Sequence, residues 1–360
     1  MAIMCRKATH ILVLLFAILA NVTIAYAQEH PEAQHDAEVH EGLDMTHLIF
    51  HHVLDSYQWD IVGWEDENGV EQKLSIPLPI IAYHDGQFLF ALSSSFKDGA
   101  TLQEGALTWH MGVPEGRVVE KLLVSTPYEK DVRPTLDLSI TRNVASMWLS
   151  VIVILVIFVS ASRAYKKSLV PHGAVGAVEA CVLFVKEIAD EQIGEKSAKY
   201  VPYMLSLFFF IWINNIIGLI PFFPFSTNLS GNIAFTATLA VGTFILTNFN
   251  ATKHYWVHNF TVPGVPFVMK FILVPIEIVT MFIRPFTLLV RLFANVTGGH
   301  IIILSLIAMI FIIGHIAMAV PSILLTLIIF VLEIIFGALQ AYIFTLLSAL
   351  YIGLAVNDEH

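Results

Sequence analysis

Apolar and polar positions divide the chain into two regimes. Beyond Asn143 the apolar runs are long and nearly uncharged. Val144–Ala161 is the first, closed by Arg163, Lys166 and Lys167. Tyr203–Ile220 is the second, ending at Pro221-Phe222-Phe223-Pro224, and Ile233–Phe249 is the third. Each is near the roughly 20 residues that cross a bilayer as a helix. Gly173–Tyr200 differs: Val178, Cys181, Val182, Val185 and Ile188 recur at helical spacing, with Glu179, Lys186, Glu187 and Asp190 between them. That pattern predicts an amphipathic helix lying at a membrane surface. Lys253, His254 and Lys270 mark the next connection. The last two runs, Phe267–Gly314 and Pro321–Val356, are too long for simple spans. As helices they would measure ~70 Å and ~50 Å, against a hydrocarbon core of about 30 Å. The first either hides a hairpin at Pro275, Pro285 or Gly298-Gly299, or lies steeply tilted. Two long tilted helices forming an antiparallel pair fit both lengths.

Upstream the pattern changes. Arg6 and Lys7 precede the apolar run Ile11–Ala25, and Ala25-Tyr26-Ala27 leads to Gln28. This is the layout of a secretory signal peptide over residues 1–27. Residues 28–141 are polar, acidic and histidine-rich. Their one strand-like stretch is Lys73–Phe96, where His84-Asp85-Gly86 would turn a hairpin between Leu78–Tyr83 and Gln87–Leu92. Export of this region agrees with the cationic cluster after Val144–Ala161, which marks a cytoplasmic side. The expected architecture is an all-α integral membrane domain over 142–360, with about five spans, one interfacial helix and a cytoplasmic C-terminus. The exported polar region precedes it.

Composition sharpens this picture. Of 360 residues, 56% are hydrophobic and 13% charged, and mean hydropathy is +0.73. Soluble domains carry about 25% charged residues, because a wet surface requires them and a bilayer excludes them. The net charge of −10 comes from acids concentrated in Glu29–Asp137. No basic stripe supports a nucleic-acid partner. Cys5 lies in the leader and Cys181 stands alone in the remainder, so no intrachain disulfide or cysteine zinc site is expected. His30, His35, His40, His47, His51 and His52 lack a strong ligand spacing. Neither a metal nor a cofactor is expected, and no phosphate-binding loop is visible.

The charges inside the apolar runs carry the chemistry. They are Glu277, Arg284, Arg291, His300 and Glu333. An arginine at mid-membrane costs from ~2.5 to ~17 kcal/mol and ordinarily faces a wet cavity or a partner. For Arg284, beside Pro285, snorkelling to the interface is the alternative. Arg291 is flanked by Phe286–Val290 and Leu292–Ala294 and is harder to dismiss. At 100° per residue, Glu277 and Arg291 lie within about 40° of each other, ~21 Å apart along the axis. His300 lies ~13 Å to the other side of Arg291 and points to the opposite face. Glu333 and Gln340 share a face on the final helix. Titratable groups on both sides of one arginine describe two half-paths separated by a fixed positive charge.

These residues also carry a resemblance. Arg284-Pro285, then Leu289-Val290-Arg291-Leu292-Phe293-Ala294-Asn295 and Gly299-His300, resemble the signature helix of subunit a of bacterial F-type ATP synthases. Leu339-Gln340-Ala341-Tyr342-Ile343-Phe344, leading to Tyr351, resembles the final helix of that family. Asn214-Asn215-Ile216-Ile217-Gly218-Leu219-Ile220-Pro221 resembles the end of its first hairpin span. The resemblance runs from about Asn143 to the C-terminus. It implies a proton-translocating stator subunit of the bacterial inner membrane. Its partners would be a ring of c subunits, the b subunits of the peripheral stalk and, indirectly, a soluble catalytic head; the chain itself would not be an enzyme. The essential arginine falls on Arg291, facing a carboxylate on each c subunit. The resemblance sets Gln340 level with it. Asn295 and Gln340 would orient Arg291 or water, Glu277 would serve the cytoplasmic half-channel, and His300 with Glu333 the outer one. Many relatives carry these last two residue types exchanged, which keeps one acid and one imidazole at the junction. Some carry aspartate where Gly218 stands. A cation antiporter would call for internal repeats, and none is visible. A membrane-anchored metal receptor would leave the five intramembrane ionisable residues without a role.

Overall fold

The computed structural model describes residues 55–65, 71–113, 121–126, 131–167, 173–220, 227–261, 266–313 and 316–357. The leader, the six N-terminal histidines and Pro221–Pro224 lie outside them.

The polar region folds as a β-domain. Its strands are β1 (Gln58–Glu65), β2 (Glu71–Pro77), β3 (Pro79–His84), β4 (Gln87–Leu92), β5 (Leu102–Glu104), β6 (Leu107–Gly112), β7 (Lys121–Ser125) and β8 (Leu136–Asp137). They pair as β1-β2, β4-β3-β8 and β5-β6-β7. The β3–β4 hairpin turns at Asp85 and Gly86, with φ of 42° and 84°. Positive φ at both positions suits the twist of a two-residue hairpin. The expectation of a single strand-like stretch is corrected: β1 and β5 to β8 lie outside Lys73–Phe96. What joins them is a core that no single stretch reveals. Ile80, Leu89, Trp109, Leu122 and Val124, from β3, β4, β6 and β7, are all at most 2% exposed.

The domain joins the membrane body without a linker. Residues after β8 stay on β3, where Leu138 N–H donates to Ile81 O and Ile140 N–H to Pro79 O. The first helix, α1 (Arg142–Lys167), begins two residues later. Its first free N–H groups are met by the domain. Arg142 N–H donates to Ser56 O at 2.9 Å, and Asn143 N–H to Asp55 Oδ1 at 3.1 Å. A carboxylate at a helix N-terminus both fills a donor and complements the helix dipole. Nearby, buried Tyr57 donates to Asp137. Burial, and then the Asp137 charge, push the Tyr57 phenol well above its ordinary pKa.

The body contains α2 (Ala174–Ile193), α3 (Ser197–Leu219), α4 (Ile233–Phe249), α5 (Lys253–Thr261), α6 (Phe267–Ile313) and α7 (Ile316–Val356). Among the described residues, four helical stretches are long and apolar enough to cross a membrane, or five if α4 and α5, bent by 102°, count as one span. Gly194, with φ of 73°, lets α2 turn sharply into α3. The two lie side by side: the rings of Phe184 and Phe208 are 6.4 Å apart, as only a hairpin allows. Val182, Val185, Ile188, Ala189 and Ile193 form the buried stripe of α2. The amphipathic pattern is therefore present, and it packs against α3 and also α7, where Phe184 meets Tyr342 at 5.5 Å.

Helix α6 runs unbroken for 47 residues through Pro275 and Pro285, and α7 for 41 residues through Pro321. The antiparallel pair is realised, and the hidden hairpin is not. Lys253 starts the short helix α5 and Lys270 lies inside α6, so the connection is more helical than the sequence suggests.

Candidate functional site

Three charged residues stand one heptad apart on α6. Glu277, Arg284 and Arg291 each shift by about 20° per step and so share one stripe. An adjacent face is buried, where Leu288 and Leu292 are 2% and 0% exposed. Arg291 is exposed at the chain surface and makes no ion pair with any described residue. Arg284 does not snorkel alone. Its Nη2 lies 3.8 Å from Glu277 Oε1, and its guanidinium sits 5.7 Å from the Tyr351 ring of α7.

Two contacts fix the register of α6 on α7. Glu333 packs against Gly299: a Cβ there would come within 1.3 Å of Glu333 Oε1. Only glycine leaves room for this carboxylate. At the other end, Tyr351 meets Arg284. Between these two levels Arg291 stands opposite Ala341–Phe344, within about a turn of Gln340. The level that the resemblance supplied for Gln340 thus follows from contacts. Glu333 and Gln340 are both 8% exposed. Asn295 is one turn from Arg291 and half-buried.

His300 follows Gly299 but faces another way. A Cβ on Gly218 of α3 would lie 3.7 Å from His300 Nε2 and 3.0 Å from the Thr227 carbonyl. His300 and Glu333 therefore meet α6 at one level from different sides. They form no ion pair with each other among the described residues, and buried polar groups of α1, α3 and the turn before α4 gather near this level.

This gathering holds residues that carried no site role in the sequence. Thr227 donates to Ser146 of α1. Ser230 Oγ donates to Asn215 Oδ1 at 2.6 Å, and Asn215 Nδ2 donates to Gly337 O at 3.1 Å, one turn from Glu333. Ser146, Thr227, Asn228, Ser230, Asn214 and Asn215 are all buried. Asn214 Oδ1 and Asn228 Nδ2 have no hydrogen-bond partner among the described residues. Buried hydroxyls and amides are common in any helix bundle, so nothing but their convergence marks them.

An apolar bundle of this length, carrying charge on a face that the chain itself leaves open, defines a multi-pass membrane protein. Comparison with known proteins agrees. The ATP synthase A chain family matches residues 144–353, and a domain of unknown function (DUF8433) matches residues 48–131. ATP synthase subunit a of Chloroherpeton thalassium is 41% identical over 230 residues, covering 62% of this chain and 68% of that protein. Its counterpart in Chlorobium phaeobacteroides is 41% identical over 241 residues, 65% of this chain and 70% of that one. ATP synthase subunit a 2 of Chlorobaculum tepidum is 42% identical over 234 residues, 62% and 66% of the two chains. The chain belongs to the ATP synthase A chain family. Membership makes it a proton-translocating membrane subunit of an F-type ATP synthase, a channel component with no catalysis of its own.

Proposed function

We propose that Arg291 is the fixed cation between two proton half-channels and that it faces a ring of c subunits. The observation that carries this reading is an arginine exposed sideways from the middle of a 47-residue apolar helix, without a counter-charge among the described residues. A guanidinium so placed needs an anion from outside the chain. A carboxylate on each passing c subunit supplies one. Arg291 favours its ionised form, so a proton is released on arrival and cannot return past the fixed charge. Asn295 and Gln340, on either side, orient the guanidinium or a water.

The inlet half-channel comprises His300 and Glu333 with the buried polar groups of Ser146, Thr227, Ser230 and Asn215. The unpartnered Asn214 Oδ1 and Asn228 Nδ2 favour hydration there, since a buried amide without a partner is costly. The outlet comprises Glu277, on the opposite side of Arg291. Arg163 and Lys166 end α1 away from the β-domain, and Lys196, Lys199 and Lys253 lie at that same end. There Lys196 Nζ donates to Val356 O at 2.7 Å and Lys199 Nζ to Asn250 Oδ1 at 2.6 Å. By the positive-inside rule this end is cytoplasmic and the β-domain is outside. This orientation accords with export by a signal peptide over residues 1–27 and a location in the bacterial inner membrane. The peripheral-stalk b subunits hold the chain against rotation while the soluble head carries the ATP chemistry.

The test is Arg291→Ala in the assembled complex. ATP-driven proton pumping is expected to vanish while the head still hydrolyses ATP. Coupled pumping that survives the substitution removes Arg291 from the mechanism.

A further inference from the structure

We propose that Arg284 is a positioning residue for proton release: clamped on Tyr351, it holds the Glu277 carboxylate in the outlet. This rests on the reading of Glu277 as an outlet group. Arg284 and Glu277 side chains are 22% and 29% exposed, so their 3.8 Å pair is largely removed from water. The pair is local to α6, seven residues apart, but its anchor is not. Tyr351 belongs to α7 and takes the guanidinium on its ring face at 5.7 Å. A cation over an aromatic face is attracted by the ring quadrupole, more strongly where water is scarce.

Arg284 has mostly apolar surroundings beyond this pair, with a few polar side chains among them. It lines a small cavity with Thr243, Thr247 and Asn248 of α4, Tyr255 of α5 and Tyr351. The cavity has about 20 Å³ of room for water centres, enough for one molecule. One acceptor there lacks a partner among the described residues, and another loses its usual helical donor. Asn248 Oδ1 is buried and unpaired. Pro285 has no N–H, so the carbonyl of Met281, another cavity residue, loses its helical donor. Arg284 is thus held by Glu277 and Tyr351, beside a small cavity with a few polar groups on its wall.

This arrangement separates the two arginines of the stripe. Arg284 and Arg291 are one heptad apart, ~10 Å along the axis, and both would attract a ring carboxylate. The Glu277 carboxylate cancels the charge of Arg284 and leaves Arg291 as the open cation. Arg284 in turn fixes where Glu277 stands to receive the released proton.

The test uses the complete ATP synthase in inverted membrane vesicles, comparing Arg284→Gln, Glu277→Gln and the double variant. ATP-driven proton pumping is read per unit of ATP hydrolysed. Arg284→Gln should lower it about tenfold, while Arg284→Lys should stay within about twofold of the parent. In the Glu277→Gln background, Arg284→Gln should have no further effect. Equal losses in both backgrounds overturn the proposal, because a merely structural arginine acts independently of Glu277. Should Arg284→Gln fail to assemble, Tyr351→Leu, which removes the ring anchor, is expected to give a loss of about threefold that also disappears with Glu277→Gln. Persistence of that loss in the double variant overturns the proposal too. If Glu277→Gln alone leaves pumping unchanged, the outlet reading of Glu277 itself fails, an outcome distinct from additivity.

Discussion

The α2–α3 hairpin and the α6–α7 pair invert the usual relation between hydropathy and burial. The hairpin, Ala174–Leu219, has the lower hydropathy of the two regions, 1.6, yet 83% of its apolar stretch is buried inside the chain. The most apolar stretches of α6 and α7 reach 1.9 and 2.6, and only 17% of each stretch is buried. In water the more apolar helix would be the core. In a bilayer lipid tails are as apolar as leucine, so apolarity alone does not draw helices together. What distinguishes the hairpin is close packing and satisfied polar groups. Met204 and Ile211 are fully enclosed, and Tyr203 OH hydrogen-bonds Thr243 at 2.8 Å. The outer faces of α6 and α7 are left for lipid and, on our proposal, for a rotor. The buried region makes the scaffold, and the open region makes the function.

The strongest way to break this contrast is to cut one large side chain on each side of it. Phe344, 2% exposed, is the bulkiest buried α7 side chain in the core that α3 organises. Phe344→Ala should cost about 3–5 kcal/mol of stability, as for other enclosed phenylalanines. Thermal unfolding of the purified subunit in detergent would measure it, and a loss under 1 kcal/mol would show that α7 is not anchored there. A smaller effect is expected at the α6–α7 seam. Gly299→Ala places a methyl where the Glu333 carboxylate lies and should cost about 1–3 kcal/mol by overpacking. Gly298→Ala meets nothing within 4 Å and is the matched control. Equal stability of the two variants would refute the seat of Glu333 on Gly299.

Much of the membrane body was legible because lipid punishes exceptions. Ile233–Phe249 was readable to both ends, since Asn232 caps its start through Ala234 N–H at 2.9 Å and Asn250 closes it. Arg291 and Glu333 stood out as charges in apolar runs. Pro275 and Pro285 misled in part: they suggest breaks, but in α6 the helix continues through both, as lipid-embedded helices tolerate. The β-domain was mostly invisible for the opposite reason. β6 is only Leu107–Gly112, and its Trp109 is buried by strands far away in sequence. Ser146, Thr227 and Ser230 gave no signal, because a hydroxyl is unremarkable until a topology brings several together. Arg284 was ambiguous because its partner on α7 depends on a register that periodicity does not set.

The two weakest expected effects sharpen the comparison most. Asn215→Leu removes the bond to Gly337 O that ties α3 to α7 and the bond from Ser230 in the turn before α4. Interhelical hydrogen bonds in membranes average about 0.6 kcal/mol and reach about 1.7, so the loss should fall in that range. Phe271, 84% exposed on α6, should be weaker still: Phe271→Ala in the isolated subunit is expected to change stability by less than about 0.5 kcal/mol. A null result here is informative only beside Phe344, because the two substitutions delete the same ring. If Phe271→Ala instead destabilised the isolated chain as much as Phe344→Ala, the outer face of α6 would be packed against something within this chain. It could not then be the surface left open for lipid and rotor, and burial would cease to separate scaffold from working face.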